Sequence, residues 1–384
     1  MRSNTPDTPD TPDTPYDALL IVSFGGPEGR DEVLPFLRNV SRGRDVPEQR
    51  IAEVAEHYYR FGGISPMNAQ NRALVGALGA ALAAAGIDLP VYWGNRHWRP
   101  MLSDELARMR DDGVRRALAF VTSAYGSYSG CRQYLEDITA ARAVVGAGAP
   151  IVDKLRLFFN HPRFVETWVA SLRESLAEAS AGTTPQPTTP QSTTPQLATP
   201  QSATPQPATV QRTVRTAGVE MPPVLFTAHS IPVSTAATCE YVAQLTETAR
   251  LVATAAGVPD GGWRLVWQSR SGPPSQPWLA PDVVDAMAEL PAGSTVVLAP
   301  IGFVSEHMEV VYDLDTVAAA AGAQRGQRVL RAATPGTDPR FVDMICQLVA
   351  ERLDPSLPRL AVGRFAPAPD RCVTGCCPSP PRRP

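Results

Sequence analysis

Two strings in this chain combine residue types that hold metal ions and move protons. The first, FTAHSIP, closes a short apolar run at 224–226 with His229. An imidazole has an ordinary pKa of about 6.5, so it can bind a metal or take a proton near neutrality. The second, APIGFVSEHMEVVYDLD, carries Glu306, Glu309 and Asp313. A helix starting here would line those three carboxylates along one face near its N-terminus. Carboxylates and imidazoles are the groups that strip water from a hard-to-borderline divalent ion and remove protons. His307 should leave that face and is the weaker candidate. The plainer alternatives are a structural histidine and a solvated acidic face. The acidic face loses ground because the segment follows an apolar run and lacks interleaved lysines or arginines for helical ion pairs.

Two further groupings could do chemistry. YYRFGGISP at 58–66 and SAYGSYSGCRQY at 123–134 mix aromatics, serines and glycines. That mixture suits a large flat ligand, since rings stack while hydroxyls and amides bind peripheral acids. The glycines of FGGPEG at 24–29 have the wrong spacing for a dinucleotide turn, and a proline stands where the phosphate would sit. The chain end holds Cys372, Cys376 and Cys377. Crowded thiols suggest ligation of an iron–sulfur cluster or of zinc, and a frayed tail with unrelated cysteines stays open. Cys239 and Cys346 lie in helical apolar patterns and read as core residues.

The elements that must position these groups alternate. Strands are expected over 18–22, 90–93, 117–121, 155–159, 224–228, 264–267 and 294–300. Helices are expected over 31–38, 71–85, 239–256, 281–290 and 341–353, with another presenting Leu102, Leu106 and Met109. Strands separated by single helices imply parallel sheets covered on both faces, with function at the strands' carboxyl ends. The fold class is therefore α/β, two doubly wound Rossmann-like domains with a cleft between them. The expected organisation is a tail at 1–15, a first domain at 16–160, a second at 161–325, a helical segment at 326–360 packing back on both, and a cysteine tail at 361–384. A Thr/Pro/Gln repeat at 182–212 interrupts the second domain and lacks the apolar content to fold, so an extended mobile loop is expected there. With 35 basic and 38 acidic residues among 384, no global field favours nucleic acid. No signal-like N-terminus and no membrane-length apolar run is present, which points to the cytoplasm. Six cysteines are too few and too scattered for a secreted disulfide framework.

Six collinear motifs, LLIVSFGGP, YYRFGGISPMNAQ, the Tyr/Ser-rich block before Cys131, FTAHSIP, WQSRSGPPSQPWLAPD and APIGFVSEHMEVVYDLD, resemble the ferrochelatase family over about 16–353. The resemblance implies chelatase-type domains holding a porphyrin between them, with His229 and Glu309 as the core histidine and glutamate. These would receive Fe²⁺ and the pyrrole protons while the cleft strains the ring out of plane. Glu306 and Asp313 would extend an acidic path. Ser65 and Tyr134 match porphyrin-contacting positions, with Tyr58, His97 and Phe24 also placed against the ring. Some soluble relatives have a tyrosine where this chain has Phe24, so an axial phenolate is not expected. Membrane-bound relatives carry an apolar lip where this chain reads SRGRDVP. Arg42 and Arg44 there suit the four propionates of coproporphyrin III better than protoporphyrin IX. Several relatives carry a [2Fe–2S] cluster on one internal and three C-terminal cysteines, which implies Cys131, Cys372, Cys376 and Cys377. Rival readings are a chelatase for protoporphyrin IX, another tetrapyrrole or another metal, and a non-catalytic tetrapyrrole carrier. The expected partners are porphyrin and ferrous iron only, with a monomer favoured.

Overall fold

The computed structural model describes residues 15–43, 46–181, 221–272, 275–373 and 375–379. Arg44, the repeat insert at 182–212, residues 1–14 of the expected tail and 380–384 lie outside the described residues.

Strands β1 (Ala18–Ser23), β2 (Val91–Asn95), β3 (Arg116–Val121) and β4 (Ile151–Lys154) pair in parallel in the order β2-β1-β3-β4. Strands β5 (Val224–His229), β6 (Trp263–Gln268), β7 (Thr295–Ala299) and β8 (Arg328–Arg331) repeat that order as β6-β5-β7-β8. Burial on both faces explains why the central strands read as continuous apolar runs. In β1, Leu19 and Ile21 enter one core while Ala18, Leu20 and Val22 enter another on the opposite face. In the second sheet Val224, Phe226, Val297 and Ala299 face inward, and Leu225, Val296 and Leu298 face outward. The inward faces of both sheets share one core with the helices Met67–Ala84, Pro162–Ser180, Tyr241–Ala256 and Pro339–Leu353. Each Leu or Phe fully buried there contributes about 1.5–3 kcal/mol relative to exposure. Among the described residues no helix is long and apolar enough to cross a membrane.

Two expectations need correction. The run at 155–159 is not a strand: after β4 the chain leaves the sheet, and Phe158 and Phe159 are buried as side chains of the shared core. Burial on all sides produces the same apolar run in a loop as in a central strand. The boundary at 325 cuts the second sheet, because β8 lies beyond it and pairs with β7 along Thr295 to Leu298. The helix Pro339–Leu353 packs on Pro162–Ser180 and on Met67–Ala84, so it touches both halves.

A satellite core covers the cleft on the first half. Helices Arg30–Val40 and Glu48–Tyr59 pack Val33, Phe36, Leu37, Ile51 and Ala55 together, with Phe24, Tyr58 and Trp98 against them.

Candidate functional site

His229 is the last residue of β5 and pairs in register with Gln268, the last residue of β6. Its Nδ1 lies 2.5 Å from the carbonyl oxygen of Ser230, which can only accept, so Nδ1 carries a proton and Nε2 faces the cleft. There Nε2 stands 3.3 Å from Glu309 Oε1, with the two side chains 29% and 45% exposed. Burial disfavours an imidazolium, but the Glu309 carboxylate and the Ser230 carbonyl outweigh it and lift the His229 pKa to about 9. Burial likewise opposes a charged Glu309, and the charge and hydrogen bond of His229, aided by His307, pull its pKa down to about 2. The metal-free pair is therefore an imidazolium facing a carboxylate. Asp313 behaves oppositely: burial, with repulsion from Glu309, raises it to about 6 although Ser269 Oγ donates to its Oδ2.

The loop after β7 brings Glu309 to His229. Gly302 makes this approach possible, because a Cβ there would lie 2.6 Å from Ala228 Cβ and 2.7 Å from Ala228 Cα. Its N–H donates to the Thr227 carbonyl at 3.1 Å. The side-chain amide of Gln268 then donates to the main-chain carbonyl of Glu309.

The acidic row is not as expected. The helix begins only at Met308, with His307 as its N-cap accepting from the Glu309 N–H at 3.2 Å, and widens into a π-helix at Asp313–Ala318. Glu306 precedes the helix, and its Oε1 takes Arg331 at 2.9 Å and the Thr334 hydroxyl at 2.9 Å. It is thus neutralised by a β8 arginine rather than aligned with Glu309 and Asp313. His307 stays with the site instead of leaving it, close enough to sense the charges of both Glu309 and His229.

The first half supplies an aromatic wall. Tyr58 is close enough to Glu309 for that charge, added to burial, to push its phenol pKa up. Phe36 bridges Tyr58 and Phe24, at ring separations of 5.9 and 6.3 Å, and Phe24 meets His97 at 4.5 Å. The Arg96 guanidinium lies 6.0 Å from the Phe24 ring and 4.3 Å from that of Tyr134. Tyr134 is buried beneath it, and Ser65 is buried against Gly26, where a Cβ would come within 2.6 Å of Ser65 Cβ. Arg42 is exposed in the turn after the first helix. His57 stacks on Tyr312 of the other half at 3.8 Å and 12°. Thus His229, Glu309, Asp313 and Tyr58 gather at one place, Phe24, His97 and Tyr134 gather around Arg96, and Glu306 is drawn aside. Gln268, Ser269 and Tyr241, whose hydroxyl donates to the His229 carbonyl at 3.1 Å, were not foreseen. The sequence signals for the first two are their place at the end of an apolar run and within the motif WQSRSGPPSQPWLAPD, neither of which gave them a role.

Cys131, Cys372, Cys376 and Cys377 line one cavity of about 400 Å³, with Lys154 and Arg371. Cys131 and Cys372 face each other across this cavity, and their interaction raises the Cys131 thiol pKa and lowers that of Cys372. The Sγ atoms of Cys376 and Cys377 are 3.6 Å apart. Cys346 is buried in the shared core and Cys239 packs half-buried against it. Among the described residues no three metal-ligating side chains converge as a preformed single-ion site.

The family model described as Ferrochelatase matches residues 16–191 and 200–353. A protein of Rhodopirellula baltica named "Ferrochelatase" is 49% identical over 372 residues, covering 96% of this chain and 95% of that one. One of Streptomyces griseus named "Coproporphyrin III ferrochelatase" is 46% identical over 386 residues, covering 95% and 94%. One of Frankia alni with the same name is 48% identical over 379 residues, covering 96% and 87%.

Proposed function

The chain belongs to the ferrochelatase family, enzymes that insert iron into porphyrins, and on that premise we propose that coproporphyrin III is its substrate and that His229 and Glu309 perform the insertion. The observation that carries the residue assignment is the 3.3 Å approach of His229 Nε2 to Glu309 Oε1 at a strand end, with Asp313 beside them. Insertion exchanges two pyrrole protons for Fe²⁺, so the site must accept protons and contact the metal. In this reading anionic Glu309 meets the metal and the first proton. His229 becomes a ligand once its own proton has left, and Asp313, poised near neutrality, passes protons outward. Tyr58, Phe24 and His97 line the ring's edge and face, with Ser65 and Tyr134 behind them. Replacing His229 by Ala should abolish insertion and leave porphyrin binding largely intact, measured anaerobically by absorbance with Fe²⁺. Retention of more than about a tenth of wild-type activity, a barrier change below ~1.4 kcal/mol, would overturn the assignment.

Support for coproporphyrin III comes from the names of the actinobacterial relatives and from Arg42 in its exposed turn, with Arg44 two residues on in sequence. Guanidinium groups pair with carboxylates in two-pronged fashion, so a substrate with four propionates gains more at such a lip than one with two. Steady-state comparison of coproporphyrin III and protoporphyrin IX tests this, and equal or better turnover of protoporphyrin would refute it. We place the reaction in the cytoplasm, performed by a monomer.

The cysteine cavity supports a [2Fe–2S] cluster as resident group, since four sulfurs line a single space and the donor set is all thiol. Cys131, Cys372, Cys376 and Cys377 would hold it, and when bound it would supply a covalent tie and a one-electron centre. Anaerobically purified protein should be brown, losing its visible absorption in Cys372→Ser and Cys131→Ser while Cys239→Ser keeps it. Colourless wild-type protein without acid-labile sulfide would retire the cluster.

A further inference from the structure

The thiol cavity contains an unusual neighbour. Lys154 ends β4 and is only 9% exposed. Its ammonium donates to the Leu155 carbonyl at 3.1 Å and lines the same cavity as the Cys131 thiol, whose pKa it lowers. The carboxylates around the cavity are taken by arginines: Asp153 by Arg116 at 2.8 Å, and Asp370 by Arg352 at 3.1 Å and Arg359 at 3.0 Å. A buried ammonium is unfavourable unless an anion compensates it. The groups left for it in this cavity are the sulfurs, and its charge acts on both Cys131 and Cys372.

We infer that Lys154 is the built-in counter-cation of the four-thiol site, donating to the sulfur of Cys131 and stabilising the negative charge of a thiolate-bound centre. The inference rests on the cluster reading above. Four thiolates around a [2Fe–2S]²⁺ core carry a net charge of −2, and one-electron reduction makes it −3. A fixed positive charge beside one sulfur therefore favours the reduced form more than the oxidised one, and hydrogen bonds to sulfur act in the same direction. Lys154 is a positioning and tuning residue, not a ligand.

The test is a redox titration of the anaerobically purified full-length protein, wild type against Lys154→Gln and Lys154→Arg, followed by visible absorbance and by the electron paramagnetic resonance of the reduced form. With iron and sulfide contents equal to wild type, Lys154→Gln should move the midpoint to more negative values and Lys154→Arg should recover most of the shift. Loading of the Arg variant but not the Gln variant would equally support a role for the charge. An unchanged midpoint in fully loaded Lys154→Gln overturns the inference, as does failure of both variants to load, which would make the site's demand one of shape alone. A wild-type protein that holds neither iron nor sulfide removes the premise instead, so the two failures are told apart.

Discussion

At the scale of single residues, the charge state of the metal-free site is the property most open to measurement. His229 should remain an imidazolium through neutrality, its ring-proton resonance titrating near pH 9 in the metal-free protein and moving back toward the ordinary value in Glu309→Gln. An unshifted titration in wild type would show that the 3.3 Å pair does not persist in solution. The linkage has a definite sign. Because the folded-state pKa of His229 is raised, its contribution to stability is complete below about pH 6.5 and fades as the pH climbs through about 9. Glu309 is depressed, so its contribution is present above its unfolded value and fades as the pH falls toward about 2. Only a neutral imidazole ligates iron, so iron affinity should rise over the upper part of the same range. A second expectation concerns Phe24: the ferric product complex of wild type should lack a phenolate-to-iron charge-transfer band, and Phe24→Tyr should introduce one. A band already present in wild type would show another phenol at the metal. As candidates, His229 was legible from a reactive group just past an apolar run, while Glu309 was singled out from its acidic neighbours by the family resemblance alone. Gln268 and Ser269 were not, since their roles depend on the pairing of β6 with β5 and on a left-handed φ of 60° at Ser269 that no spacing announces.

At the scale of elements, six of the eight strands were foreseen in outline, β4 being displaced to the run just after it and β8 missed, but the acidic segment shows where pattern reading failed. Helical spacing placed Glu306, Glu309 and Asp313 on one face, whereas the helix starts after Glu306 and turns into a wider π-turn at Asp313. Ideal periodicity cannot anticipate a late start or a change of pitch. β8 was missed because its four residues, RVLR, place two arginines among the apolar ones, and Arg331 is there to hold Glu306 and Asp315. The position of the Glu309 loop is most exposed to one substitution. Gly302→Ala would drive a methyl group into the backbone and Cβ of Ala228, on a central strand that cannot retreat. The loop must then move away from His229. Insertion activity should fall by at least tenfold and stability by about 1–3 kcal/mol, the usual cost of overpacking. Near-normal turnover in that variant would mean that the loop's contact with β5 does not set the site.

At the scale of the whole molecule, the two sheets are joined by a shared apolar core and by a few buried polar contacts. Tyr125 donates to the Ile301 carbonyl at 3.0 Å, and Gln244 accepts from the Gly126 N–H at 2.7 Å, each crossing from one half to the other. Arg156, just beyond β4, meets Glu351 of the last helix at 2.8 and 2.9 Å, with side chains only 2% and 6% exposed. Removing one partner of such a pair strands the other charge, so Arg156→Met should cost about 3–5 kcal/mol in denaturant unfolding. Burial pushes Glu351 up, but Arg156 pulls it below its ordinary value on balance, so the contribution of the pair should be intact at neutral pH and fade under acid. A loss below 1 kcal/mol by that estimate would mark the pair as dispensable. The repeated strand order has a consequence of another kind. β1 and β5 hold the same central place in their sheets and each runs six residues, so their last residues, Ser23 and His229, stand at corresponding strand ends. Such a repeat is what the doubling of a half-length gene would leave. Two identical halves related by a twofold axis would have offered the same side chain to both faces of a bound ring. The present chain instead ends one central strand on a serine hydroxyl and the other on an imidazole, so the two halves present different chemistry at equivalent places.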